Sequence, residues 1–400
     1  MFTPPSLTRR KLLAAGAALP FLGHGGPLLA AGKPLNLALL TSLTGPFQSL
    51  GESMRAGLSL YLQEIGHRMG GRSVELIVED DHGKPDEALR KLRKLIAQDR
   101  IDVLCGVIPA NIALAIRDTV DEAKLPTFIA VAAANELARS ATSPYIFRVA
   151  KTSWMLGHTG AQWVHEKIAK SGGVTLASDY AAGREYVGDF TATFQELGGT
   201  MGEAIWTPLG TSDFAPLIMK LAAAQPQFIY SFLAGADAVR FLKQMKNYGM
   251  QGRIPLVGPG ALFDQEDVIP AVGDAALGGI NTFHQSPVAN ASAVFVNAYR
   301  NARGRLPGES STAGYACGQV IRAAVDAVQG DVVGKWPAFR SFLLGNRLAT
   351  AFGPMSFDPR NNQAIMDIYV NEVRKDDKGR PLNTVLHTYQ HVQDPGPAQG

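Results

Sequence analysis

The sequence predicts an α/β protein made of two similar units in tandem, each a doubly wound parallel sheet with helices on both faces. From Leu35 to Val131, short apolar runs alternate with segments of helical periodicity. The same alternation restarts after Phe147-Arg148-Val149 and continues to Val257. A βαβα order of this kind requires parallel strands with helices covering both faces of the sheet. The 400 residues, 46% of them hydrophobic, are enough for two separate cores.

The first unit contains four predicted strands and three predicted helices. Each strand is a short apolar run, and each helix carries apolar residues three and four positions apart. We expect Asp86 and Asn111 to be the N-caps of the second and third helices, because both side chains are good acceptors for backbone N–H groups. The strands are predicted at 35–40, 74–79, 101–108 and 126–131, and the helices at 52–65, 86–97 and 112–123.

The loop Pro109-Ala110-Asn111 follows the strand at 101–108. It lies at the carboxyl edge of the predicted sheet, next to the unpaired N–H groups of a helix start. Small molecules bind at this edge in open α/β sheets. The same pattern also fits an ordinary connection that binds nothing, so the loop alone does not decide between the two.

The second unit repeats this architecture without repeating the residues, and a helical region and a strand-rich end follow it. Two similar lobes predict a cleft in which the domain interface and the carboxyl edges of the strands coincide as a ligand site. The strands are predicted at 173–177, 200–206, 227–232 and 254–257, the helices at 154–170, 185–197, 213–223 and 236–248, further helix at 292–329, strand-like alternation at 355–373 and 381–389, and a tail at 391–400.

Residues 1–33 have the composition of an export signal. Thr8-Arg9-Arg10-Lys11-Leu12-Leu13 resembles the twin-arginine motif, an apolar region follows, and Ala30-Ala31-Gly32 suits cleavage. Neighbouring arginines also occur in ordinary secretory signals, so the export route stays open. No later apolar run reaches the ~20 residues that a membrane-spanning helix needs. We therefore expect a soluble periplasmic protein with its signal peptide cleaved.

Composition and motifs argue against several classes of function. The net charge of +3 is spread out, without the basic stripe that nucleic-acid binding needs. His387 and His391 could share a strand face, but no further ligand completes a metal set. Asp80-Asp81 fits a solvated loop better than a catalytic pair, and no Walker loop or nucleophile elbow occurs. We expect no catalysis, no cofactor and no metal.

Cys105 and Cys317 lie in apolar stretches of the sequence. Buried free thiols are the simpler interpretation. One disulfide remains open in an oxidising compartment, because the sequence does not place the two sulfurs relative to one another.

Several short motifs, taken together with their order and spacing along the chain, indicate a resemblance to a known family. From Leu35 to Asp376 the chain resembles the substrate-binding proteins of ABC importers of the branched-chain amino acid type, which have the type I periplasmic-binding-protein fold. The matching motifs are Thr44-Gly45-Pro46 with Gly51, Glu79-Asp80-Asp81, Gly106, Leu125-Pro126, Glu136-Leu137, Phe147-Arg148, Asp179-Tyr180 with Gly183, Asp213-Phe214, Gly249, Gly258-Pro259, Gly278-Gly279 and Gly314-Tyr315.

The resemblance implies two lobes joined by a three-segment hinge that closes on a small ligand and presents the closed form to a membrane permease. The N-terminal lobe would comprise 34–149 with 284–343, and the C-terminal lobe 150–283 with 344–390. The crossovers are expected near 147–152, 283–287 and 343–350. A monomer without catalytic activity is expected.

The chain departs from the amino-acid binders of this family at four positions. There, a serine and a threonine hold the ligand carboxylate, and a tyrosine and a glutamate hold its ammonium group. The corresponding positions here are Ala110, Ala133, Ala234 and Gly260. A buried ammonium without a counter-charge loses several kcal/mol, and about 3 kcal/mol is about 100-fold in affinity.

The remaining expected lining is small and apolar. Tyr180 offers a flat face to a ring, although it could simply pack in its loop. Arg184 is the nearest cation that could pair with a carboxylate, although it could be a solvated residue at a helix start. With the four departures above, the expected ligand-binding residues are Leu50, Ile108, Pro109, Asn111, Ala132, Ala134, Tyr180, Ala182, Arg184 and Ser231.

These observations favour an extracytoplasmic receptor of an ABC importer. The expected ligand is a small organic acid with an aromatic or apolar body, and leucine, isoleucine or valine is the second choice. A different class of function, a ligand sensor for a membrane signalling partner, uses the same fold and stays open.

Overall fold

The computed structural model describes residues 1–2, 33–289 and 292–397 and arranges 33–397 as two α/β lobes. The predicted export signal lies almost wholly outside the described residues. Two lobes, each with a mainly parallel sheet, confirm the predicted fold class.

Eleven α-helices and fifteen strands are present in the described part of the chain. The strands are β1 Leu35–Thr41, β2 Arg68–Met69, β3 Arg72–Asp80, β4 Val103–Gly106, β5 Thr127–Ile129, β6 Ile146–Arg148, β7 Gly173–Ser178, β8 Met201–Thr207, β9 Phe228–Phe232, β10 Leu256–Pro259, β11 Ile280–Phe283, β12 Leu348–Thr350, β13 Gly353–Phe357, β14 Ala364–Lys375 and β15 Pro381–Val392. The helices are α1 Gln48–Glu64, α2 Pro85–Ala97, α3 Ala110–Ala123, α4 Ser153–Lys167, α5 Ala181–Glu196, α6 Ala215–Ala224, α7 Gly235–Asn247, α8 Val268–Val272, α9 Ala293–Arg303, α10 Glu309–Ala327 and α11 Trp336–Gly345.

The sheet of the first lobe has the order β2-β3-β1-β4-β5-β6, and all of its pairs except β2–β3 are parallel. β1 and β4 are almost completely buried, which explains why they read as continuous apolar runs rather than alternating ones. Helices α1 and α10 pack closely on one face. A Cβ at Gly57 would lie 1.9 Å from the carbonyl oxygen of Ser311, so only glycine permits this approach.

The sheet of the second lobe has the order β12-β13-β14-β11-β10-β9-β7-β8, with β15 paired to β14. Strands β7 to β11 run parallel, and β14 closes this part of the sheet as an antiparallel strand beside β11. The carboxyl ends of β7, β9 and β10 therefore lie at one edge, and this edge faces the first lobe.

Three connections join the lobes. The first runs from β6 to α4 and the second from β11 towards α9. The third connection leads through β12 and β13, which pack against α10 and α11 of the first lobe. After β13 the chain turns back into β14, and Phe357 pairs with Ala364 across this turn. This turn therefore follows two strands that belong to the second lobe's sheet and still touch helices of the first lobe. It stays beside the first connection, because the backbone N–H of Arg148 donates to the carbonyl of Asn362 at 3.1 Å.

Two predicted N-caps are wrong. α2 is capped by Lys84 and α3 by Pro109, so Asp86 and Asn111 lie inside the first turns. At α2 the reason is Pro85, whose fixed φ and missing N–H suit the first position of a helix. At α3, Pro109 is extended, and Ala110 already takes helical geometry.

The interpretation of Asp80-Asp81 as a solvated loop is also wrong. Asp81 is fully buried and accepts hydrogen bonds from the hydroxyl of Ser42 at 2.6 Å and the N–H of Gly83 at 2.8 Å. Burial raises the pKa of its carboxyl group. Asp80 accepts from the N–H of Leu43 at 2.8 Å. The pair therefore ties the loop after β1 to the loop after β3.

Cys105 and Cys317 are both buried free thiols. Among the described residues, no group of three or more metal-ligating side chains comes together. Across the same residues, each helix is too short or too polar to cross a bilayer.

Candidate ligand-binding site

A small cavity of about 70 Å³ lies between the lobes, at the carboxyl edges of both sheets. Its walls are mainly apolar and aromatic. The lining residues are Phe47, Leu50, Ile108, Pro109, Ala110, Val131, Ala133, Lys151, Tyr180, Ala182, Tyr186, Phe232, Ala234, Ala261 and Glu309.

Eight of the predicted site residues lie in this lining. The first lobe contributes the loop before α3, the loop after β5 and the start of α1, and the second lobe contributes the starts of α5 and α7. The eight are Leu50, Ile108, Pro109, Ala110, Ala133, Tyr180, Ala182 and Ala234. Alternating α/β topology brings them together, because every one of them follows or faces the carboxyl end of a parallel strand.

The four positions that we expect to correspond to the polar anchors of amino-acid binders carry no polar side chain here. Ala110, Ala133 and Ala234 present only methyl groups to the cavity. Gly260 lies outside the lining, and a Cβ there would be 2.1 Å from the Phe283 ring. A longer side chain at position 260 would therefore need this ring to move.

Five other predicted residues lie outside the lining. Arg184 pairs with Asp179 at 2.7 Å and stacks on the Trp206 ring, 3.9 Å from its centroid. Asn111 is exposed on α3, because the helix starts two residues earlier than predicted. Ser231 is buried within β9. The remaining two, Ala132 and Ala134, direct their carbonyl groups towards Arg148.

Arg148 shapes the site without lining it. Its guanidinium is fully buried and donates to the carbonyls of Ala134 at 2.5 Å, Ala132 at 3.2 Å and Lys151 at 3.1 Å. Burial lowers its pKa to about 10. These bonds fix the loop that carries Ala133 and the first connection between the lobes.

Sequence reasoning missed seven lining residues. Lys151 comes three residues after a recognised motif, and this position could have been found. Glu309 starts a helix 158 residues further along the chain, and only the fold brings it to Lys151. The others, Phe47, Val131, Tyr186, Phe232 and Ala261, read as ordinary core positions.

Lys151 and Glu309 form a buried ion pair. Among the described lining residues, no other side chain is charged. The ammonium of Lys151 also donates to the carbonyl of Val131 at 3.2 Å. His284 lies behind the pair, with its Nε2 3.9 Å from Oε1 of Glu309. We call Lys151, Glu309 and His284 the cavity floor.

The lobes also make direct polar contacts on both sides of the cavity. On one side, Asn135 of the first lobe donates to Asp189 of α5 at 2.7 Å and through its backbone N–H to Glu185 at 3.2 Å. On the other side lie three acidic residues between β10 and α8. We call Asp264, Glu266 and Asp267 the acidic seam.

Glu266 is the centre of the acidic seam. Its buried carboxylate accepts from the hydroxyls of Ser53 at 2.9 Å, Tyr299 at 2.6 Å and Ser311 at 2.7 Å, and it pairs with Arg305 at 2.9 Å. All four partners belong to the first lobe. The acidic seam therefore holds the lobes together next to the cavity.

Three helix starts meet the cavity without a side-chain cap. They belong to α3, α5 and α7, whose N-cap residues Pro109, Tyr180 and Ala234 all line it. The free N–H groups and the helix dipoles give this region a positive potential. An anionic end of a small ligand is therefore favoured at this edge.

Comparison with known proteins agrees with this geometry. A family model described as a periplasmic binding protein matches residues 34–379. A Leu/Ile/Val-binding protein homologue of Brucella melitensis is 28% identical over 372 residues, which are 90% of this chain and 93% of the relative.

Two of the solved structures that share this fold match it over 90% of the chain. An ABC transporter substrate-binding protein from Sphaerobacter thermophilus is 33% identical with a TM-score of 0.84, covering 90% of this chain and 98% of that one. A solute-binding protein of an ABC transporter from Rhodopseudomonas palustris BisB5, in complex with 3,4-dihydroxybenzoic acid, is 28% identical with a TM-score of 0.85, covering 90% and 99%.

Proposed function

Because the chain belongs to the periplasmic binding protein family, we propose that it captures a small aromatic or apolar carboxylate for an ABC importer. The family consists of solute-binding receptors of ABC transporters, which are not enzymes. The proposal therefore assigns binding and release, and no chemical step, to the cavity between the lobes.

The observation that carries the ligand class is the lining itself. Ala110, Ala133 and Ala234 occupy positions where an amino acid would need polar partners, while Tyr180, Tyr186 and Phe232 offer ring faces. Offset or edge-on aromatic contacts add about 0.5–1.5 kcal/mol each beyond the burial of apolar area. The similar protein from Rhodopseudomonas palustris, crystallised with 3,4-dihydroxybenzoic acid, supports the same class.

A thermal-shift screen of the mature protein tests the ligand class. We expect benzoate and 3,4-dihydroxybenzoate to raise the melting temperature in proportion to the logarithm of their concentration, because a ligand that binds only the folded state stabilises it. Leucine, isoleucine and valine at equal concentrations should have little effect. Strong stabilisation by these amino acids, with none by the benzoates, would overturn the proposal.

A branched-chain amino acid remains the second candidate. The name of the Brucella relative and the carboxylate of Glu309 in the lining favour it, because a carboxylate is the natural partner of an ammonium group. We rank it second because Lys151 already pairs with Glu309. If leucine bound through Glu309, the substitution Glu309→Gln would abolish that binding and spare benzoate.

We also propose that the protein acts in the periplasm as a monomer after removal of residues 1–33. The support is the Thr8-Arg9-Arg10-Lys11-Leu12-Leu13 motif and the family assignment. Mass spectrometry of the periplasmic protein should place the new N-terminus near residue 33. Replacing Arg9-Arg10 by Lys-Lys should stop export if the twin-arginine route is used, and export that persists would indicate the general secretory route.

A sensor for a membrane signalling partner would use the same cavity. Gene context separates the two classes, because a transport receptor is expected beside permease and ATPase genes and a sensor beside a histidine kinase gene.

A further inference from the structure

We propose that the ligand carboxylate binds the ammonium of Lys151 in place of Glu309, and that the cavity floor takes up one proton from solvent as it does so. This inference rests on the proposed function, because it requires a carboxylate ligand. It adds the receptor group for the carboxylate, Lys151, and the two side chains that would share the proton, Glu309 and His284.

The starting point is the charge of the cavity floor. Lys151 and Glu309 balance one another, and both side chains are more than nine-tenths buried, with exposed fractions of 4% and 9%. A ligand carboxylate would add one negative charge beside Glu309. Two carboxylates in one buried site cannot both stay ionised cheaply, so one of them or a neighbour takes a proton.

His284 can hold that proton. Its side chain is fully buried, and neither ring nitrogen has a hydrogen-bond partner among the described residues. Its Nε2 lies 3.9 Å from Oε1 of Glu309, close enough for a short side-chain movement to join them. Burial, and then the charge of Lys151, lower the pKa of His284 well below its usual value. A ligand carboxylate that neutralised the charge of Lys151 would remove the second of these two causes, and the His284 ring would then bind a proton more readily.

Other groups around the floor must also be considered as sites that could bind a proton. Phe283 and Phe352 cover the His284 ring, with centroids 4.9 Å and 4.3 Å away, and carry no charge. The titratable and charged groups that face the floor from neighbouring elements are Tyr180 and Tyr186 of α5, Asp264 and Glu266 of the acidic seam, and Arg148 of β6.

Tyr180 and Tyr186 stay protonated, because burial raises the pKa of both hydroxyls above the usual value. Arg148 stays charged at neutral pH. Asp264 is different, because burial raises its pKa, and closure of the lobes could by itself bind a proton there. The experiment must therefore separate the floor from the acidic seam.

Isothermal titration calorimetry in two buffers of different ionisation enthalpy measures the protons bound per ligand. We expect the lobes to close on both benzoate and its neutral analogue benzamide, so that any proton uptake at the acidic seam is common to both. We expect benzoate to take up roughly one proton more than benzamide near neutral pH. The dissociation constant of benzoate should then rise by up to about tenfold per pH unit, and that of benzamide much less.

Two variants test the same assignment through different atoms. Glu309→Gln leaves Lys151 without a competitor, so benzoate should bind without extra proton uptake and with little pH dependence. His284→Gln should reduce the extra uptake and keep the protein folded, because the ring makes no hydrogen bond among the described residues. His387→Gln, exposed on β15, is the matched control and should behave like the wild type.

The outcomes distinguish the two proposals. Benzoate binding with the same proton uptake as benzamide would overturn the inference and leave the proposed function intact. Unchanged uptake in both floor variants would overturn it as well. If neither benzoate nor 3,4-dihydroxybenzoate binds, the proposed function fails and the inference fails with it.

Discussion

The cavity and the acidic seam lie side by side in the same interface between the lobes, and their chemistry is opposite. The cavity presents alanines and aromatic rings, and its one ion pair is internally balanced. The acidic seam buries carboxylates that accept hydrogen bonds from the other lobe. We infer from this contrast that polar contacts hold the lobes together, and we propose that the shape and apolar surface of the cavity select the ligand.

α10 joins the two regions. The backbone N–H of Glu309 donates to Asp264 of the acidic seam at 2.9 Å, and its side chain lines the cavity. We therefore expect closure of the seam and placement of the floor to be parts of one movement. A change in one region should be measurable in the other through ligand affinity.

The largest expected effect comes from breaking the acidic seam at Glu266. Glu266→Ala would leave the hydroxyls of Ser53, Tyr299 and Ser311 without their acceptor in a buried site. Removing one member of a buried charge cluster costs about 3–5 kcal/mol. We expect a clearly lower melting temperature and at least about 100-fold weaker benzoate binding. Glu203→Ala, which removes an exposed ion pair with Lys220, is the control. Equal melting temperatures and equal benzoate affinities of the two variants would refute the role of the seam.

The next effect comes from filling the cavity. Ala133→Leu adds three carbon atoms to a space of about 70 Å³. We expect benzoate binding to weaken by about 10- to 100-fold, because overpacking costs about 1–3 kcal/mol. Calorimetry measures this directly, and Ala302→Leu on the exposed face of α9 should leave affinity unchanged. Full affinity in Ala133→Leu would place the ligand elsewhere.

A smaller effect concerns pH and the acidic seam. Burial, with the charge of Asp267 next, raises the pKa of Asp264, so the closed state binds more protons than the open or unfolded chain. This contribution to closed-state stability is present near the ordinary Asp value of about 4 and is lost as the pH rises towards neutrality.

Asp80 opposes this trend. Burial acts to raise the pKa of its carboxyl group, but hydrogen bonds from the N–H groups of His82 and Leu43 and from the hydroxyl of Thr44 keep it below its usual value. The wild type must therefore be compared with Asp264→Asn. Relative to the variant, the melting temperature and benzamide affinity of the wild type should fall between about pH 4 and pH 7. Parallel profiles of the two proteins would contradict this assignment.

The smallest expected effect is at Arg184. Its guanidinium already pairs with Asp179 and covers Trp206, outside the cavity lining. Exposed pairs of this kind contribute about 0–1 kcal/mol. Arg184→Ala should therefore change benzoate affinity by less than about twofold. A loss comparable with that of Ala133→Leu would show that Arg184 turns inward to hold the carboxylate.

The fold could be predicted from sequence because its information is local. Buried parallel strands read as apolar runs, and amphipathic helices carry their own period. The position of Pro109, Ala110 and Ala133 at strand ends followed from the same rule. The predicted end was less accurate at α3. This helix begins at Ala110, so Asn111 lies inside its first turn and not at the expected N-cap position.

The floor and the acidic seam could not be predicted because they depend on residues far apart in the chain. Glu309 meets Lys151 across 158 positions, and Glu266 meets Ser53 across 213. Neither pair has a spacing motif. The role of Arg148 was hidden for another reason. Its partners are backbone carbonyls, and any residue would provide these.

The most direct test of the account is a crystal structure of the mature protein grown with 3,4-dihydroxybenzoate and leucine at equal concentration. We expect the aromatic acid between the lobes, with its ring between Tyr180 and Ala133 and its carboxylate at Lys151. Leucine in the cavity instead, with its ammonium on Glu309, would contradict the account.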